Sequence, residues 1–294
     1  MADGVGHLLP RCTFPPPGTD VTCAVSGGAD STALLALAVA AGCRVTAVHV
    51  DHGLRAGSGA EADIVRQSAE QLGAGFCGVR VDVVDGPNLE ARAREARYSA
   101  LPVDVLTGHT ADDQAETVLV NLLRGAGAAG LAAMRPGPRR PLLALRRSET
   151  VTLCSSLGLH ILDDPSNTDP RHLRNRIRHE LLPLMNDLAR RDVVPVLTRQ
   201  ADLARDDADL LDDLAAHIDP TDAKALAAAP LPLARRAVRR WLTTTHPPDL
   251  ATIERVLAVA RGTATATETV DGRRVSRHRQ RLVLHSSAST GPND

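Results

Sequence analysis

Lysine is almost absent from this sequence. Lys224 is the only lysine among 294 residues, so nearly all of the 34 basic side chains are arginines. The Walker phosphate loop requires Gly-Lys-Ser/Thr at the start of its helix, and the sequence contains no such tripeptide. A Walker-type nucleotide site is therefore excluded.

Paired cysteines and long apolar runs are missing as well. The five cysteines are scattered without a Cys-x-x-Cys pair, which argues against a disulfide framework and a cysteine metal site. We expect Cys23 and Cys43 to be buried free thiols. No apolar run is long enough to cross a bilayer, and the N-terminus shows no signal-peptide pattern. These absences predict a cytoplasmic protein without a membrane partner.

Charge of one sign does not dominate the chain. The formal net charge is −1 at pH 7, so the overall charge gives no argument for nucleic-acid binding. Arginines are nevertheless concentrated in three stretches, 171–178, 235–240 and 273–281. Local basic clusters can bind a phosphate backbone on a neutral protein, although many are simply solvated faces.

A glycine-rich loop is the strongest single signal. It follows the apolar run 21–25, precedes a helical run to about residue 41, and reads Ser26-Gly27-Gly28-Ala29-Asp30-Ser31. Glycines let consecutive N–H groups point into one concavity, and the helix N-terminus and serine hydroxyls add donors for an anion. Asp30 would repel phosphate unless a divalent cation lay between them. The simpler alternative is a Gly/Ser turn whose aspartate caps a helix.

Strands and helices are predicted to alternate in the first half of the chain. We predict strands at about 21–25, 44–50, 76–83 and 103–107, and helices from the loop to about 41 and at about 60–72, 88–98 and 111–124. This rhythm predicts an α/β fold with a doubly wound parallel sheet, whose first loop lies at the switch point where such sheets bind ligands. We also expect an extended piece at 140–145, a loop at 163–170 and an arginine-rich helix at 171–183.

The length of the chain predicts two domains. From about residue 191 the composition changes to helices rich in Asp, Leu and Ala, with strand-like pieces after 264. We predict a catalytic domain at 1–188 and a smaller, mainly helical substrate domain at 189–294 that ends in short strands. The joint between them is expected near 186–192.

A group of carboxylates follows the fourth predicted strand. Asp112 and Asp113 begin a helix, and Glu116 lies one turn later on a shared face. Clustered carboxylates repel one another unless a cation holds them, and Mg²⁺ with ATP phosphates or a substrate ammonium group would do so. The alternative explanation is that acidic residues favour helix N-termini through the dipole alone.

Three arginines are candidates for the opposite charge: Arg97, Arg174 and Arg178. A reaction that builds an adenylate gathers negative charge at the α-phosphate, and the planar guanidinium binds phosphate oxygens in pairs. Arg174 and Arg178 are four residues apart, which places them on one helix face. Arg146 lies outside these motifs and serves in this interpretation as an ordinary surface arginine for comparison.

The motifs occur in one order over about 21–185 and together resemble the tRNA(Ile)-lysidine synthetases of the PP-loop superfamily of N-type ATP pyrophosphatases. Besides the loop at 26–31, the resemblance rests on His49-Val50-Asp51-His52-Gly53-Leu54-Arg55, Arg94-Glu95-Ala96-Arg97-Tyr98, His109-Thr110-Ala111-Asp112-Asp113-Gln114-Ala115-Glu116-Thr117, Asp164-Pro165-Ser166-Asn167 and Arg174-Asn175-Arg176-Ile177-Arg178. It implies an adenine nucleotide alpha hydrolase-like fold. The stretches 231–233 and 239–242 resemble the helical substrate domain of that family more weakly. Longer members carry a further C-terminal domain, which we expect this chain to lack or to keep as a short stub.

The resemblance implies a two-step ligation on a tRNA. ATP would activate the C2 carbonyl oxygen of the wobble cytidine in the CAU anticodon of tRNA(Ile), giving an adenylated tRNA and pyrophosphate. The amino group of free L-lysine would then attack C2 and displace AMP, forming lysidine. The codon read would change from AUG to AUA.

The resemblance also implies roles for particular residues. ATP would bind at Ser26, Gly27, Gly28, Ala29, Asp30, Ser31, His52 and His109, with Mg²⁺ on Asp30 and Asp113. The implied catalytic residues are Asp30, Arg97, Asp113, Glu116, Arg174 and Arg178. Asp113 and Glu116 would hold metal or the lysine ammonium group, and the arginines would hold phosphate charge or tRNA. Which carboxylate accepts a proton from the attacking amine stays open, as does the choice between a monomer and a homodimer.

Two other functions were weighed against this ligation. A tRNA thiolase or amide-forming synthetase could use the same loop, but thiolases of this class typically use cysteine pairs, and a glutamine-fed enzyme needs an amidotransferase region for which the chain has no space. A non-catalytic ATP-binding module is the alternative of a different class. The acidic group and the arginine helix argue against it, because binding alone needs neither.

Overall fold

The computed structural model of the chain describes residues 5–51, 58–81, 99–162 and 168–286. Internal contacts divide the chain into two compact units, residues 1–202 and 203–294, and the division falls within one long helix. The predicted domain limits of 1–188 and 189–294 stay a prediction. In the described residues no helix is long and apolar enough to cross a membrane.

A parallel sheet organises the first unit. Its strands are β1 (Asp20–Ala24), β2 (Arg44–Asp51) and β3 (Gly75–Arg80), hydrogen-bonded in the order β1-β2-β3. On the free side of β1, Leu106 donates its N–H to Thr22 O and accepts from Ala24 N, in parallel orientation. The chain therefore runs outward from β1 to β3 and returns to the other side of β1. That reversal makes the end of β1 the switch point of a doubly wound sheet, as predicted.

The helices of the first unit follow the sequence pattern closely. In the described residues they are a 3-10 turn (Leu9–Arg11), α1 (Ala29–Ala40), α2 (Ser58–Leu72), α3 (Ala111–Leu123), α4 (Ala128–Leu131), α5 (Arg147–Ser156), α6 (Leu173–Arg176), a π-helical turn (Ile177–Leu181) and α7 (Leu182–Ala189). Helix α1 packs against β1, β2 and α5, and it is buried from Thr32 to Ala38. A helix that is apolar on all sides suits such a central position. Its fixed place sets where the loop before it must lie.

Two predicted elements differ from the structure. The fourth strand, predicted at 103–107, is reduced to the single bridge at Leu106, and Val103 is 86% exposed. The piece at 140–145, predicted to be extended, consists of turns in which Leu142 and Leu145 are buried in the core. A short apolar run was compatible with an extended segment at both places, but each segment finds its partners through turns and side-chain packing. The predicted helix at 88–98 lies outside the described residues.

The second unit combines helices with a small antiparallel sheet. Helix α8 (Val194–Ala216) continues into it, and its other elements are α9 (Ala223–Ala228), α10 (Leu231–Leu242), α11 (Leu250–Arg261), β4 (Ala266–Glu268), β5 (Arg274–His278) and β6 (Arg281–His285). The strands pair in the order β4-β5-β6. Leu242, Val256 and Leu257 share a buried core with Val275 and Leu282 of the sheet. This agrees with the predicted mainly helical region ending in short strands.

Candidate active site

The loop between β1 and α1 is closed by its own serines. The Ser31 hydroxyl accepts from Ser26 N at 3.1 Å, donates to Gly28 O at 2.9 Å, and lies 3.2 Å from the Ser26 hydroxyl. Gly28 is the N-cap of α1. The first turn of a helix leaves its N–H groups without acceptors inside the helix, and these groups attract anions. The loop is thus shaped to hold a phosphate group.

Two glycines allow other segments to approach this loop closely. Gly27 has a φ of +88°, and a Cβ there would lie 2.4 Å from Leu162 Cδ1. Leu162 N also donates to Gly27 O at 2.8 Å. On the other side, a Cβ on Gly108 would lie 2.5 Å from the carbonyl oxygen of Asp30. The segment after Leu106 can therefore lie against the start of α1 only because residue 108 has no side chain.

The start of α3 brings the second carboxylate to the same place. Asp113 Oδ2 accepts from the backbone N–H and the hydroxyl of Thr110, both at 2.9 Å, and this capping interaction fixes its rotamer. The other oxygen, Oδ1, is left to face the site. Glu116 lies one turn later with a side chain that is 0% exposed. These two carboxylates share one face of the helix, as predicted, whereas Asp112, which the prediction grouped with them, pairs with Arg146 instead.

Arg147, at the start of α5, joins the loop to α3. Its Nε donates to Asp30 Oδ2 at 2.9 Å, its Nη2 to Asp113 Oδ1 at 2.8 Å, and its Nη1 to Glu116 Oε1 at 3.2 Å. Thr150, one helical turn later, donates its hydroxyl to Asp30 Oδ1. Helix α5 therefore holds both oxygens of Asp30.

Two further arginines complete the cluster. Arg174 donates to Glu116 Oε2 at 2.7 Å and to Asp113 Oδ1 at 3.0 Å. Arg178 donates to both oxygens of Glu116, at 2.7 and 3.0 Å. The site cluster, by which we mean Asp30, Asp113, Glu116, Arg147, Arg174 and Arg178, holds three carboxylates and three guanidinium groups. Buried charges of this kind are tolerated when each is paired and hydrogen-bonded.

The pKa values of the cluster reflect burial and pairing together. Burial raises the pKa of the Asp30 carboxyl, while Arg147 and Thr150 favour its ionised form. Burial would also raise the pKa of Asp113, but the attraction of Arg147 and Arg174 outweighs it and lowers that pKa. Burial opposes the charge on Arg147, yet the carboxylates around it raise its pKa. Arg147 is therefore a permanent cation of the site.

Asp112 and Arg146 form a separate pair beside the cluster. Arg146 donates to both oxygens of Asp112, at 3.1 and 3.0 Å, and also pairs with Asp192. Asp112 in turn accepts from the backbone N–H of Arg147 at 2.8 Å. The interpretation of Arg146 as an ordinary surface arginine is wrong, since its pair with Asp112 supports the position of Arg147. It is not a suitable control for the other arginines.

A cavity of about 670 Å³ opens beside the cluster. Its lining includes the loop, His109, Asp113, Arg147 and Arg178, together with the apolar side chains of Ala24, Val25, Val48, Val50 and Leu101. His109 Nδ1 lies 2.8 Å from the Thr107 hydroxyl. Pockets that combine an apolar lining with a few converging polar groups are typical of nucleotide and small-molecule sites.

The structure brings together most of the residues that the sequence predicted. The loop residues except Gly27 line the cavity, as do His109, Asp113 and Arg178, and Glu116 and Arg174 belong to the same cluster without lining it. Arg97 and His52 lie outside the described residues. The roles of all these residues stay predictions.

Three residues of the site escaped the sequence analysis: Arg147, Thr150 and Gly108. Arg147 and Thr150 stand in a helix without a recognised motif, and their contacts with Asp30 span 117 and 120 positions in sequence. A signal for Gly108 was available, because a glycine directly after a buried strand often marks a close backbone approach.

The carboxylates of the cluster suit Mg²⁺. Asp30 Oδ2 and Asp113 Oδ1 already converge on one cation, the Arg147 guanidinium. In the described part of the chain no three metal-ligating side chains form a ready-made cage. This is compatible with Mg²⁺, since one or two carboxylates usually bind it together with substrate phosphates and water.

Comparison with known proteins gives a consistent result. A family model described as a PP-loop domain matches residues 9–185, and one described as the TilS substrate binding domain matches residues 222–283. Proteins named tRNA(Ile)-lysidine synthase are similar along most of their length. The one from Nocardia farcinica is 47% identical over 238 residues, 76% of this chain and 75% of the relative. The one from Rhodococcus erythropolis is 45% identical over 77% of this chain and 74% of the relative, and the one from Mycobacterium leprae is 46% identical over 74% and 73%.

A solved structure supports the fold. The U34-tRNA thiolase NcsA from Methanococcus maripaludis superposes with a TM-score of 0.55 at 16% identity, over 69% of this chain and 80% of that one. The parallel sheet with its switch-point loop is thus the fold of PP-loop enzymes, which use ATP. Two matched domains and relatives of about 45% identity lead to one conclusion: the chain belongs to the tRNA(Ile)-lysidine synthase family, a family of tRNA-modifying enzymes.

Proposed function

We propose that this enzyme ligates L-lysine to C2 of the wobble cytidine in the CAU anticodon of tRNA(Ile). The observation that carries the proposal is the site cluster beside the phosphate loop. Three arginines and three carboxylates meet where a helix N-terminus opens into a cavity of about 670 Å³. A site that only held a nucleotide would not need so many buried charges, because each one must be paired at a desolvation cost.

In the first step, the C2 carbonyl oxygen of cytidine attacks the α-phosphorus of ATP, and the bond to pyrophosphate breaks. The loop between β1 and α1 holds the pyrophosphate through backbone N–H groups and the Ser26 and Ser31 hydroxyls. Arg178 lines the cavity and can stabilise the negative charge that gathers on the α-phosphate. The product of this step is an adenylated tRNA.

In the second step, the neutral amino group of lysine attacks C2, and the C2–O bond breaks to release AMP. The amine loses a proton as the C–N bond forms, and a nearby carboxylate can accept it. The carboxylates also give the lysine a place to bind, since an ammonium group can share Asp113 and Glu116 with the arginines that now pair with them. Arg97 would add to the phosphate-binding charge.

Asp30 and Asp113 are the residues that would hold Mg²⁺. The metal would offset the charge of the departing pyrophosphate. We therefore expect chelation of divalent cations by EDTA to stop pyrophosphate release completely. His52 and His109 would contact the nucleotide at the rim of the cavity.

A sulfur-transfer function has no support in the cysteines. All five are free, and Cys23, Cys43 and Cys154 are buried. Burial raises the pKa of Cys23 and of Cys154 to about 12, so neither forms a thiolate at neutral pH. A thiolase needs a reactive thiolate or a cluster ligated by cysteines.

The test uses purified protein, ATP, Mg²⁺ and an unmodified transcript of tRNA(Ile) with the CAU anticodon. We expect pyrophosphate release that depends on tRNA, and labelled lysine in the tRNA when lysine is supplied. A transcript with a different wobble base is the matched control and should accept no lysine. Pyrophosphate release without lysine incorporation would overturn the choice of nucleophile. ATP hydrolysis unaffected by tRNA would indicate a nucleotide-binding module instead.

A further inference from the structure

We infer that Arg147 is a positioning residue that acts as the built-in counter-ion of the metal site. It holds Asp30, Asp113 and Glu116 together when nucleotide is absent, and it prevents a divalent cation from binding until nucleotide brings one. The inference rests on the proposed function, because that function requires a metal-bound nucleotide at these carboxylates.

Arg147 uses its whole guanidinium group to contact carboxylates. Each of its three nitrogens donates to a different carboxylate: Nε to Asp30, Nη2 to Asp113 and Nη1 to Glu116. Arg174 and Arg178 differ, because among the described residues their carboxylate partners in the cluster are Asp113 and Glu116, without Asp30. Among the described residues, Arg147 is thus the cation that bridges the two carboxylates expected to hold Mg²⁺.

Arg147 is anchored at its backbone as well as at its side chain. It is the first residue of α5, and its backbone N–H is bound by Asp112 at 2.8 Å. Thr150 on the same helix binds the other oxygen of Asp30. A side chain anchored at its backbone and by its neighbour on the helix returns to one place, as a positioning residue must.

The positive and negative charges of the site cluster are balanced. Three carboxylates and three guanidinium groups leave the cluster formally neutral, so a free divalent cation meets no net attraction there and would be repelled by Arg147 at close range. A cation bound to ATP arrives with the negative charge of the phosphates. Arg147 can then release Asp30 and Asp113 to the cation and pair with a phosphate oxygen, since it lines the same cavity as the loop.

The test measures binding of Mn²⁺ alone, by electron paramagnetic resonance, to the full-length protein without nucleotide. We expect wild-type protein to bind weakly, and Arg147→Gln to bind one Mn²⁺ at least about 100-fold more tightly, because a unit charge next to the cation has been removed. Arg147→Lys keeps the charge and should bind as weakly as wild type. Arg44→Gln, which removes an exposed arginine from its pair with Asp20, is the matched control and should match wild type.

Two results would overturn the inference. One is a folded Arg147→Gln protein, verified by circular dichroism, that binds Mn²⁺ no more tightly than wild type. The other is tight Mn²⁺ binding by nucleotide-free wild-type protein, a measurement that does not depend on the folding of any variant.

The outcomes also separate this inference from the proposed function. If the wild-type enzyme makes lysidine but Arg147→Gln gains no Mn²⁺ affinity, the inference fails and the function stands. If Arg147→Gln gains affinity but wild type incorporates no lysine, the counter-ion role stands and the function fails.

Discussion

Asp30 contributes to two parts of the site, the phosphate loop and the charged cluster. Its backbone is part of the first turn of α1, which is shaped for phosphate, and its side chain contacts Arg147 and Thr150 of α5. A carboxylate in this position can hold a cation against the phosphate chain of ATP. Its side chain is 21% exposed and lines the cavity. A metal ion that enters from solvent with the nucleotide can therefore reach Asp30 and replace Arg147 as its partner.

We expect Asp30→Ala to lower the rate of pyrophosphate release at least about 100-fold, since a metal ligand at a phosphoryl centre contributes several kcal/mol. Asp20→Ala is the control, because Asp20 lies at the opposite end of β1 in an exposed pair with Arg44. Circular dichroism should show a native fold in both variants. Unchanged pyrophosphate release in Asp30→Ala would exclude a metal at this residue.

The arginines are distinguished by what they contact. Arg174 donates to two carboxylates of the cluster, whereas Arg44 pairs with the exposed Asp20. We expect Arg174→Ala to lower kcat for lysidine formation about 100-fold or more, because its loss removes a cation that holds Asp113 and Glu116 in place. Arg44→Ala should keep wild-type kcat. Equal activity of the two variants would mean that Arg174 has no part in the reaction.

At the scale of elements, the site depends on three helices that meet at their starts. Helices α1, α3 and α5 each place a charged residue in the cluster within their first two turns. The π-helical turn after α6 carries Arg178, and with Arg174 of α6 it covers Glu116. π-Helical turns are rare and often mark functional sites, which agrees with this position.

The junction of α1 with the segment before α3 depends on Gly108. A side chain there would meet the backbone of Asp30 at 2.5 Å, and a backbone atom cannot move aside as a flexible side chain can. We expect Gly108→Ala to lower the free energy of unfolding by about 2 kcal/mol, the usual range for overpacking. Urea denaturation measures this change.

Gly127 provides the control for that substitution. A Cβ there meets nothing within 4 Å, and its φ of −76° is open to any residue. Gly127→Ala should change the free energy of unfolding by less than about 0.5 kcal/mol. If the two variants were equally stable, the close approach at Gly108 would not contribute to the packing of the site.

At the scale of the whole molecule, the cluster is also a stabilising element of the first unit. Glu116 is fully buried and accepts from Arg147, Arg174 and Arg178, which come from two separate parts of the chain. Removing its charge leaves three half-buried guanidinium groups short of a partner. Loss of one partner in such a network is strongly destabilising.

We therefore expect Glu116→Gln, which keeps the shape of the side chain, to lower the free energy of unfolding by about 3 kcal/mol. Glu180→Gln is the control, because Glu180 pairs with Arg176 on an exposed surface. It should leave the denaturation midpoint unchanged. A Glu116→Gln protein as stable as wild type would show that the arginines find other partners.

The fold was largely predictable because its signals are local. The strands near 21–25, 44–50 and 76–83 and the helices that follow the loop and begin at Ala111 arise from apolar periodicity and short caps, which a sequence displays directly. The length of the strand predicted at 103–107 was overestimated, because a short apolar run does not show how many of its residues will form backbone pairs with a neighbouring strand. The same limit explains the turns found at 140–145.

The sequence by itself determined the family, the phosphate loop, and the identity of the carboxylates and of Arg174 and Arg178, because each lies in a motif of fixed spacing. Only the tertiary structure decided which cation sits between the carboxylates. Arg147 reaches Asp30 across 117 positions and Asp113 across 34, through the packing of α5 against α1. Side chains separated by such distances along the chain are brought together by the burial of helices against a sheet, and no local spacing records that contact.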